Sequence, residues 1–254
     1  MTVDGPLSTA HLPRPDPARG IFETLLVVDG RPIELDAHLD RLAASARELF
    51  GAPAMARIVG PARALVEARA AELTPGLARL RLTLAPDGHG RLDLTALTAG
   101  VGPDTVFPGP GHGATIAPIG VPGGLGAHKW ADRRLLEQAA SELDGALPLI
   151  VDASSVLEAE RANVFVVRDD VVTTPPADGR ILSGVARARV IEIARDLDIE
   201  LHEWSLTLDE LAAADEVFLT GSIRGVEPVR VARPGDGIAA RIAGALRERW
   251  LGGA

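Results

Sequence analysis

The stretch Gly126-Ala127-His128-Lys129-Trp130-Ala131-Asp132-Arg133-Arg134 contains Lys129, the only lysine in a chain of 254 residues. Lysine and arginine together number 26, so 25 of them are arginine. Arginine serves as well as lysine in ion pairs and anion binding, but it does not deprotonate to attack a carbonyl. Lysine does, and this makes it the residue of Schiff-base chemistry. The one retained amine therefore indicates either a catalytic lysine or a surface lysine that persisted by chance.

The composition is that of a soluble globular protein, with 46% apolar and 24% charged residues. A net charge of −9 without a basic block argues against nucleic acid and anionic membranes as partners. The absence of cysteine excludes disulfides, thiolate catalysis and thiolate-bound zinc. The N-terminus has no basic segment followed by an apolar run, so we expect no signal peptide and a cytoplasmic protein.

The N-terminal part of the chain alternates between strand-like and helix-like patterns separated by turn signals. We predict, in order, a strand at 21–28, the hairpin turn Asp29-Gly30 with a return at 31–35, a helix at 36–50 capped by Asp36, a helix at 61–73, and an antiparallel hairpin at 79–84 and 91–96. In the last hairpin, apolar residues alternate with polar ones, which indicates a sheet with one buried face.

The segment Phe107-Pro108-Gly109-Pro110-Gly111-His112-Gly113 is the strongest break in the chain. We therefore predict a small α+β domain over 1–112 and a larger domain over 113–254. In the larger domain we predict strands at 115–119, 147–151, 164–167, 171–173, 199–203 and 217–220, helices at 132–143, 185–197 and 238–250, and a short helix after the capping box Thr207-Leu208-Asp209-Glu210.

Beside the lysine segment, two patterns in the sequence place a charged side chain where it suits a bound ligand. His38-Leu39-Asp40-Arg41-Leu42 sets Arg41 one helical turn after His38, where Arg41 either binds a phosphate bidentately or is an ordinary surface arginine. Glu158 precedes the strand at 164–167 by a short turn that Asn163 organises. The alternative is that Glu158 and Glu160 are solvated turn carboxylates.

Two glycine-containing loops suit anion binding. Leu182-Ser183-Gly184-Val185-Ala186-Arg187 opens a helix, whose first backbone N–H groups bind anions where a glycine allows close approach. Thr220-Gly221-Ser222-Ile223-Arg224-Gly225-Val226-Glu227-Pro228-Val229 is a related loop that follows a predicted strand directly.

Taken together, these residues resemble the fold-type IV family of pyridoxal-phosphate enzymes, which includes branched-chain and D-amino-acid aminotransferases and 4-amino-4-deoxychorismate lyases. The resemblance extends from Gly20-Ile21-Phe22-Glu23-Thr24 to Pro228-Val229, which is nearly the whole chain. It implies an α/β fold with a small N-terminal α+β domain and a larger C-terminal domain with a barrel-like sheet. It also implies the cofactor pyridoxal 5'-phosphate and a homodimer.

The resemblance assigns roles to individual residues. Lys129 would bind the cofactor through a Schiff base and act as general base and acid at the substrate carbon. Glu158 would face the pyridine nitrogen and keep it protonated, because a negative partner favours the charged form. The other residues would contact two parts of the cofactor. Leu182 would pack on one face of the ring. The phosphate would be bound by Arg41, by the backbone of Val185 and Ala186, and by Ser222 with Ile223.

The chain also departs from the family patterns. Branched-chain enzymes usually carry a tyrosine five residues after the lysine, where this chain has Arg134. Threonine is frequent where this chain has Ala186. The segment Lys129-Trp130-Ala131-Asp132-Arg133 is close to the Lys-x-x-Asn-Arg pattern of the lyases, with aspartate in place of asparagine.

The favoured function is therefore a 4-amino-4-deoxychorismate lyase, which produces 4-aminobenzoate and pyruvate for folate synthesis. The first alternative is a class IV aminotransferase that moves an amino group from a branched-chain or D-amino acid to a 2-oxo acid. The second alternative is a pyridoxal-phosphate carrier or regulatory subunit without turnover. Candidates for binding a substrate carboxylate are Arg19, Thr24, Arg133, Arg161 and Arg224.

Overall fold

The computed structural model describes residues 5–73, 75–230 and 237–252. The strands in them are β1 (Leu7–Ser8), β2 (Ile21–Val28), β3 (Arg31–Pro32), β4 (Leu77–Pro86), β5 (Leu92–Gly100), β6 (Ile116–Gly120), β7 (Leu147–Asp152), β8 (Ser155–Ala159), β9 (Ala162–Arg168), β10 (Val171–Thr174), β11 (Leu201–Glu203), β12 (Leu206–Thr207), β13 (Glu216–Gly221) and β14 (Gly225–Pro228). The helices are α1 (Leu35–Phe50), α2 (Ala52–Ala71), α3 (Arg134–Ser141), α4 (Val185–Asp196), α5 (Leu208–Ala212) and α6 (Ile238–Leu251). Over these residues, no helix combines the length and the apolar character that a membrane span requires. Residues 1–4, on which the signal-peptide expectation partly depends, lie outside the described residues.

The chain forms two compact units, each assembled from several segments. The small unit contains residues 15–106, 128–133 and 250–254, and the large unit contains residues 1–14, 107–127 and 134–249. The assignment of domains to 1–112 and 113–254 stays a prediction. The two units differ from it because the segment before residue 15 and residues 107–112 cluster with the large unit, while residues 128–133, which include Lys129, and the chain from Trp250 cluster with the small unit.

The small unit is a four-stranded antiparallel sheet of order β3-β2-β4-β5 with α1 and α2 against one face. The predicted strand at 21–28 is confirmed, and so is the turn that follows it, since Asp29 and Gly30 have φ of 48° and 81°. The alternating hairpin is confirmed as β4 and β5, and Leu80, Leu82 and Leu84 of β4 are fully buried. Alternation therefore located both the strands and the face that forms the core.

Two predicted helix starts in the small unit are wrong. Helix α1 begins at Leu35, and the residue before it is Glu34 in the left-handed conformation, so Asp36 lies within the first turn and is not the cap. Helix α2 begins at Ala52, with Pro61 in its interior. The core explains the second difference, because Ile58, Ala62, Val66 and Ala70 recur every four residues and are all buried. Burying that continuous stripe offsets the hydrogen bond that the proline loses.

The large unit is built on a ten-stranded mixed sheet, counted over the described residues, that forms a half-barrel. Its main order is β1-β6-β7-β8-β9-β10-β11, with β12 beside β8 and with β13 between β9 and β14. This architecture confirms the predicted α/β class with a barrel-like sheet in the larger part. The capping box at Thr207 and Glu210 is confirmed as well, since each side chain bonds the other residue's backbone.

Sequence analysis missed four strands of this sheet, β1, β8, β12 and β14, and two of them, β8 and β14, bear on the site. Residues 155–159 form β8, so Glu158 lies within a strand and not in a turn before one. The turn consists of Glu160 and Arg161. Residues 225–228 form β14, which pairs with β13. Both strands are too short for a periodic pattern, and the polar residues in them hide the strand signal.

Candidate active site

Lys129 is fixed by backbone pairing to the first residues of β2. The N–H of Phe22 donates to the Lys129 carbonyl at 2.9 Å, and the N–H of Ala131 donates to the Gly20 carbonyl at 3.0 Å. Because residues paired in this way project to the same side, Lys129 and Phe22 share one face of the sheet. The Lys129 amine lies 4.9 Å from the centre of the Phe22 ring.

The same phenylalanine ring also contacts Arg81, a residue that sequence analysis did not identify. The guanidinium carbon of Arg81 lies 3.8 Å from the ring centre, and Arg81 is paired across the strands with Thr24. An amine and a guanidinium therefore meet at one aromatic ring, with the Thr24 side chain on the same face. The alternation of β4 was the available signal, since it placed Arg81 on the face away from the helices.

The residues on either side of Lys129 hold its segment in place. Asp132 is buried, and its carboxylate accepts a hydrogen bond from the Asp16 N–H at 3.1 Å. Arg19 reaches the same carboxylate at 4.0 Å, so this candidate for substrate binding contacts Asp132. On the other side, His128 Nδ1 lies 3.0 Å from the Ser45 hydroxyl. Asp132 thus has a structural role in positioning the lysine segment.

A buried polar network of Glu23, His38 and Arg41 lies on the opposite face of β2, towards α1. Glu23 Oε2 is 2.7 Å from His38 Nδ1, and Glu23 accepts from Arg41 Nε at 2.8 Å and from a terminal nitrogen of Arg41 at 2.5 Å. Burial alone would raise the pKa of Glu23, but the charge and hydrogen bonds of Arg41, with those of His38, lower it to about 2. Arg41 therefore carries a carboxylate partner, and its predicted phosphate contact stays a prediction.

His38 is neutral in this network at neutral pH. Burial lowers its pKa below the usual value, the hydrogen bond and charge of Glu23 oppose this, and the charges of Arg41 and Lys129 lower it further. The neutral ring donates from Nδ1 to Glu23, so Nε2 carries the lone pair. That atom is buried and has no hydrogen-bond partner among the described residues.

Because of this network, we expect the stability of the folded protein at acid pH to depend on Glu23. Because the folded pKa of Glu23 is about 2 and its ordinary value is 4.5, its contribution is complete above 4.5 and is lost as the pH falls towards 2. The loss in free energy of unfolding between about pH 5 and about pH 3 should be roughly 2 kcal/mol. Glu23→Gln should remove most of that difference.

Urea unfolding of the two proteins at both pH values measures the effect. Glu72→Gln is the matched control, since Glu72 also pairs with an arginine but its side chain is 62% exposed. An equal loss in wild type and Glu23→Gln would show that the network does not carry the acid sensitivity.

In the large unit, two buried side chains hold the loop before α4. Glu158 on β8 lies directly opposite Asn163 on β9, so both project to the same face. Glu158 Oε2 accepts from the Leu182 N–H at 3.1 Å, and Asn163 Nδ2 donates to the Leu182 carbonyl at 2.9 Å. A Cβ at Gly184 would collide with Asn163 Oδ1, so only glycine fits there without movement. The loop is therefore clamped against the polar row of the sheet.

Thr220 extends this polar row and was also missed by sequence analysis. It is paired with Asn163 across β9 and β13 and so projects to the same face. Its hydroxyl is buried and has no hydrogen-bond partner among the described residues. A buried hydroxyl left without a partner is unfavourable, so this position suits a polar atom of a ligand.

The N-terminus of α4 faces this row with its backbone donors uncapped by a side chain. Gly184 precedes the helix without a side-chain cap, and the predicted contacts Val185 and Ala186 are the first helical residues. Arg187 fixes the first turn by donating to the Pro175 carbonyl at 2.8 Å and to Glu203 at 2.7 Å. The helix start thus offers N–H groups and a positive dipole end to an anion.

The remaining predicted residues lie at two hairpin turns of the large unit. Ser222 and Ile223 are in the turn between β13 and β14, together with Arg224. Arg161 is in the turn between β8 and β9. Both arginines form ion pairs with Glu227, which sequence analysis did not single out.

The predicted site residues therefore form one group in each unit. In the small unit, Lys129 and Thr24 share a face with Phe22 and Arg81, and Arg41 is on the other face. Arg133 follows the buried Asp132 in the lysine segment and belongs to the same unit. In the large unit the structure brings together Glu158, Leu182, Val185 and Ala186. Ser222, Ile223, Arg161 and Arg224 lie at the adjacent hairpin turns.

Residues 20–232 match the statistical model of the family described as amino-transferase class IV. Curated relatives match over a shorter region. A branched-chain amino acid aminotransferase of Humulus lupulus is 46% identical over 74 residues, 29% of this chain and 19% of the relative. A chloroplastic branched-chain aminotransferase of Arabidopsis thaliana is 43% identical over 28% of this chain and 17% of the relative. The matched regions thus span about a fifth of those proteins.

Solved structures match over nearly the whole chain. The 4-amino-4-deoxychorismate lyase of Pseudomonas aeruginosa is 26% identical, with a TM-score of 0.73 and 91% of each chain covered. The branched-chain aminotransferase of Thermoproteus uzoniensis is 25% identical, with a TM-score of 0.72 over 91% of this chain and 85% of that one. A hypothetical aminotransferase of Mycobacterium tuberculosis in its PLP-bound form has a TM-score of 0.79 over 100% and 96% of the chains, and at 22% identity it shows the fold alone.

Proposed function

This chain belongs to the class IV aminotransferase family of pyridoxal-phosphate-dependent enzymes, and we propose on that premise that it is a 4-amino-4-deoxychorismate lyase. One observation supports a substrate that has both an amino group and a carboxylate. The Lys129 amine and the Arg81 guanidinium lie at the same Phe22 ring. The amine suits the amino-bearing carbon, and the guanidinium suits a carboxylate.

The residues of the large unit fit the cofactor. The uncapped start of α4 at Val185 and Ala186 suits its phosphate, and Ser222 with Ile223 would add to that contact. The unpartnered hydroxyl of Thr220 lies in the same buried row as Glu158 and offers a hydrogen bond to a polar atom of the ring. Arg41 would complete the phosphate contact and Leu182 would pack on the ring.

When bound, pyridoxal phosphate supplies an electron sink for charge that develops at the amino-bearing carbon of the substrate. Glu158 would keep a proton on the pyridine nitrogen, because a buried carboxylate favours the charged ring. Lys129 would remove the proton from the amino-bearing carbon. Arg81 and Thr24 would hold a carboxylate of the substrate on the Lys129 face, while Phe22 excludes water from beside the amine.

The lyase is preferred because the chain contains no tyrosine. The hydroxyl that branched-chain aminotransferases usually carry five residues after the lysine is replaced by Arg134, at the first residue of α3. The lyase of Pseudomonas aeruginosa is similar over 91% of both chains, which supports a lyase to the same degree as the Thermoproteus uzoniensis structure supports an aminotransferase. An aminotransferase is the second candidate, supported by the curated branched-chain relatives and by the Thermoproteus uzoniensis structure.

Incubation of the purified holoenzyme with 4-amino-4-deoxychorismate tests the proposal. We expect 4-aminobenzoate and pyruvate in equal amounts without any added 2-oxo acid. In parallel, amino acid and 2-oxo acid pairs should give at most slow transfer. Transfer without formation of 4-aminobenzoate would replace the lyase by the aminotransferase.

We propose further, from the family resemblance, that the enzyme is a cytoplasmic homodimer and serves folate synthesis. Sedimentation equilibrium of the holoenzyme at several concentrations measures the oligomeric state. A single species with the mass of one chain would contradict the dimer.

A further inference from the structure

Two arginines and one glutamate form a charged cluster at the hairpin turns of the large unit, which we call the Arg161–Glu227–Arg224 cluster. A terminal nitrogen of Arg161 lies 3.3 Å and 3.2 Å from the two oxygens of Glu227. Arg224 Nε lies 2.8 Å from Glu227 Oε1. Glu227 itself is almost completely buried, with 4% of its side chain exposed. One carboxylate therefore joins two guanidinium groups.

Strand pairing brings the two turns of this cluster together. Asn163 on β9 is paired with Thr220 on β13, so the turn before β9 and the turn after β13 lie at the same end of the sheet. The two turns lie in contact, since a Cβ at Gly221 would lie 3.4 Å from the Arg161 carbonyl oxygen, an ordinary van der Waals distance. The turn that carries Arg224 also carries Ser222 and Ile223, the residues proposed to contact the cofactor phosphate. The cluster is thus a direct neighbour of that part of the proposed site.

The charges in the cluster do not cancel. Two guanidinium groups and one carboxylate leave one net positive charge. Arg224 Nε is buried, and although Glu227 is close, it has no partner in hydrogen-bonding geometry among the described residues. The Arg161 side chain is 40% exposed and that of Arg224 is 23% exposed, so both remain accessible. Two partly exposed guanidinium groups with one positive charge left over suit the binding of a second carboxylate.

We propose that the Arg161–Glu227–Arg224 cluster binds a second carboxylate of the substrate. The proposal rests on the proposed function and names the residues that recognise the second carboxylate of its substrate. Glu227 has a double effect, since it holds both guanidinium groups in place and also offsets one of their charges. The cluster therefore accepts one carboxylate and discriminates against substrates that have an apolar group at this end.

Binding of two simple acids to the holoenzyme tests the cluster. The probes are glutarate, with two carboxylates, and butyrate, with one, and the change in cofactor absorbance reports their dissociation constants. Wild type should bind glutarate at least roughly tenfold more tightly than butyrate, as a charged hydrogen bond allows. Arg161→Gln and Arg224→Gln should each remove most of that preference by weakening glutarate alone.

Two further variants distinguish carboxylate binding by the cluster from a purely structural role in holding the two hairpin turns together. Glu227→Gln should keep or increase the preference for glutarate, because it removes the competing carboxylate. Arg180→Gln is the matched control, since Arg180 also pairs with a single acid, Asp178, but is in another loop. It should leave the preference unchanged. Equal weakening of glutarate and butyrate in both cluster arginine variants would mean that the cluster only maintains the fold, and would overturn the proposal.

The result is independent of the test of the proposed function. A protein that releases 4-aminobenzoate but binds glutarate and butyrate equally would refute the cluster and keep the lyase. A protein that prefers glutarate through Arg161 and Arg224 but forms no 4-aminobenzoate would refute the lyase and keep the cluster.

Discussion

Lys129→Arg should abolish turnover, with a loss of at least roughly 10²- to 10⁴-fold, the contribution of a positioned acid or base. The guanidinium keeps the positive charge and the position beside Phe22, but it neither attacks a carbonyl nor takes up a proton at neutral pH. Added cofactor should not restore activity, because the missing function is chemical and not a matter of affinity. Steady-state kinetics with saturating cofactor measures the loss.

Lys129→Ala gives the matched comparison, because it leaves space where Lys129→Arg fills it. Added methylamine should restore part of the turnover of Lys129→Ala and none of that of Lys129→Arg. Borohydride reduction of the wild-type holoenzyme, followed by peptide mapping, should find the cofactor attached at Lys129. Normal turnover of Lys129→Arg would mean that the one lysine is an accident of composition, and the assignment of the active site would fail.

Glu158→Gln should lower turnover by roughly 10²- to 10³-fold, as for other lost electrostatic contacts. Glutamine has the same shape, and its amide oxygen still accepts from the Leu182 N–H, so the loop before α4 should remain in place. What is lost is the negative charge that favours a protonated pyridine nitrogen. Cofactor affinity should therefore change far less than turnover.

Glu160→Gln is the control for this change, because Glu160 lies only two residues further along but in the turn between β8 and β9. It should be mild. Turnover and the cofactor dissociation constant are measured for both variants, together with the cofactor absorbance spectrum. If Glu160→Gln were the more damaging of the two, the register of this motif would be wrong.

The elements with a clear period were predictable because local patterning fixes them. Leu80, Leu82 and Leu84 alternate and are all buried in β4, and the turn at Asp29 and Gly30 has the positive φ values that such residues allow. The elements that were predicted wrongly are those in which tertiary packing overrides local conformational preference. Helix α2 passes through Pro61 because the buried stripe from Ile58 to Ala70 is continuous.

The candidate site divides in a similar way. Sequence could single out Lys129, because a lone amine among arginines has a chemical meaning that needs no structure. It could also identify Glu158 as a residue of interest, but not its place within β8. The alternation of β4 could place Arg81 on the polar face, but no local pattern distinguishes Arg81 or Glu227 from the other charged residues.

By itself, then, the amino-acid sequence determined the main periodic elements, which depend on local spacing, and it singled out Lys129 as the candidate reactive amine from the chemistry of one side chain. The fold class followed from the resemblance to a known family. Only the tertiary structure decided which side chains lie next to the candidate site residues. Strand register placed Arg81 on the Phe22 ring and aligned Thr220 with Asn163, and the meeting of two hairpin turns joined Arg161 and Arg224 through Glu227. These contacts connect residues far apart in the chain, and a shift of one residue in strand pairing would reverse every face, so no local pattern can specify them.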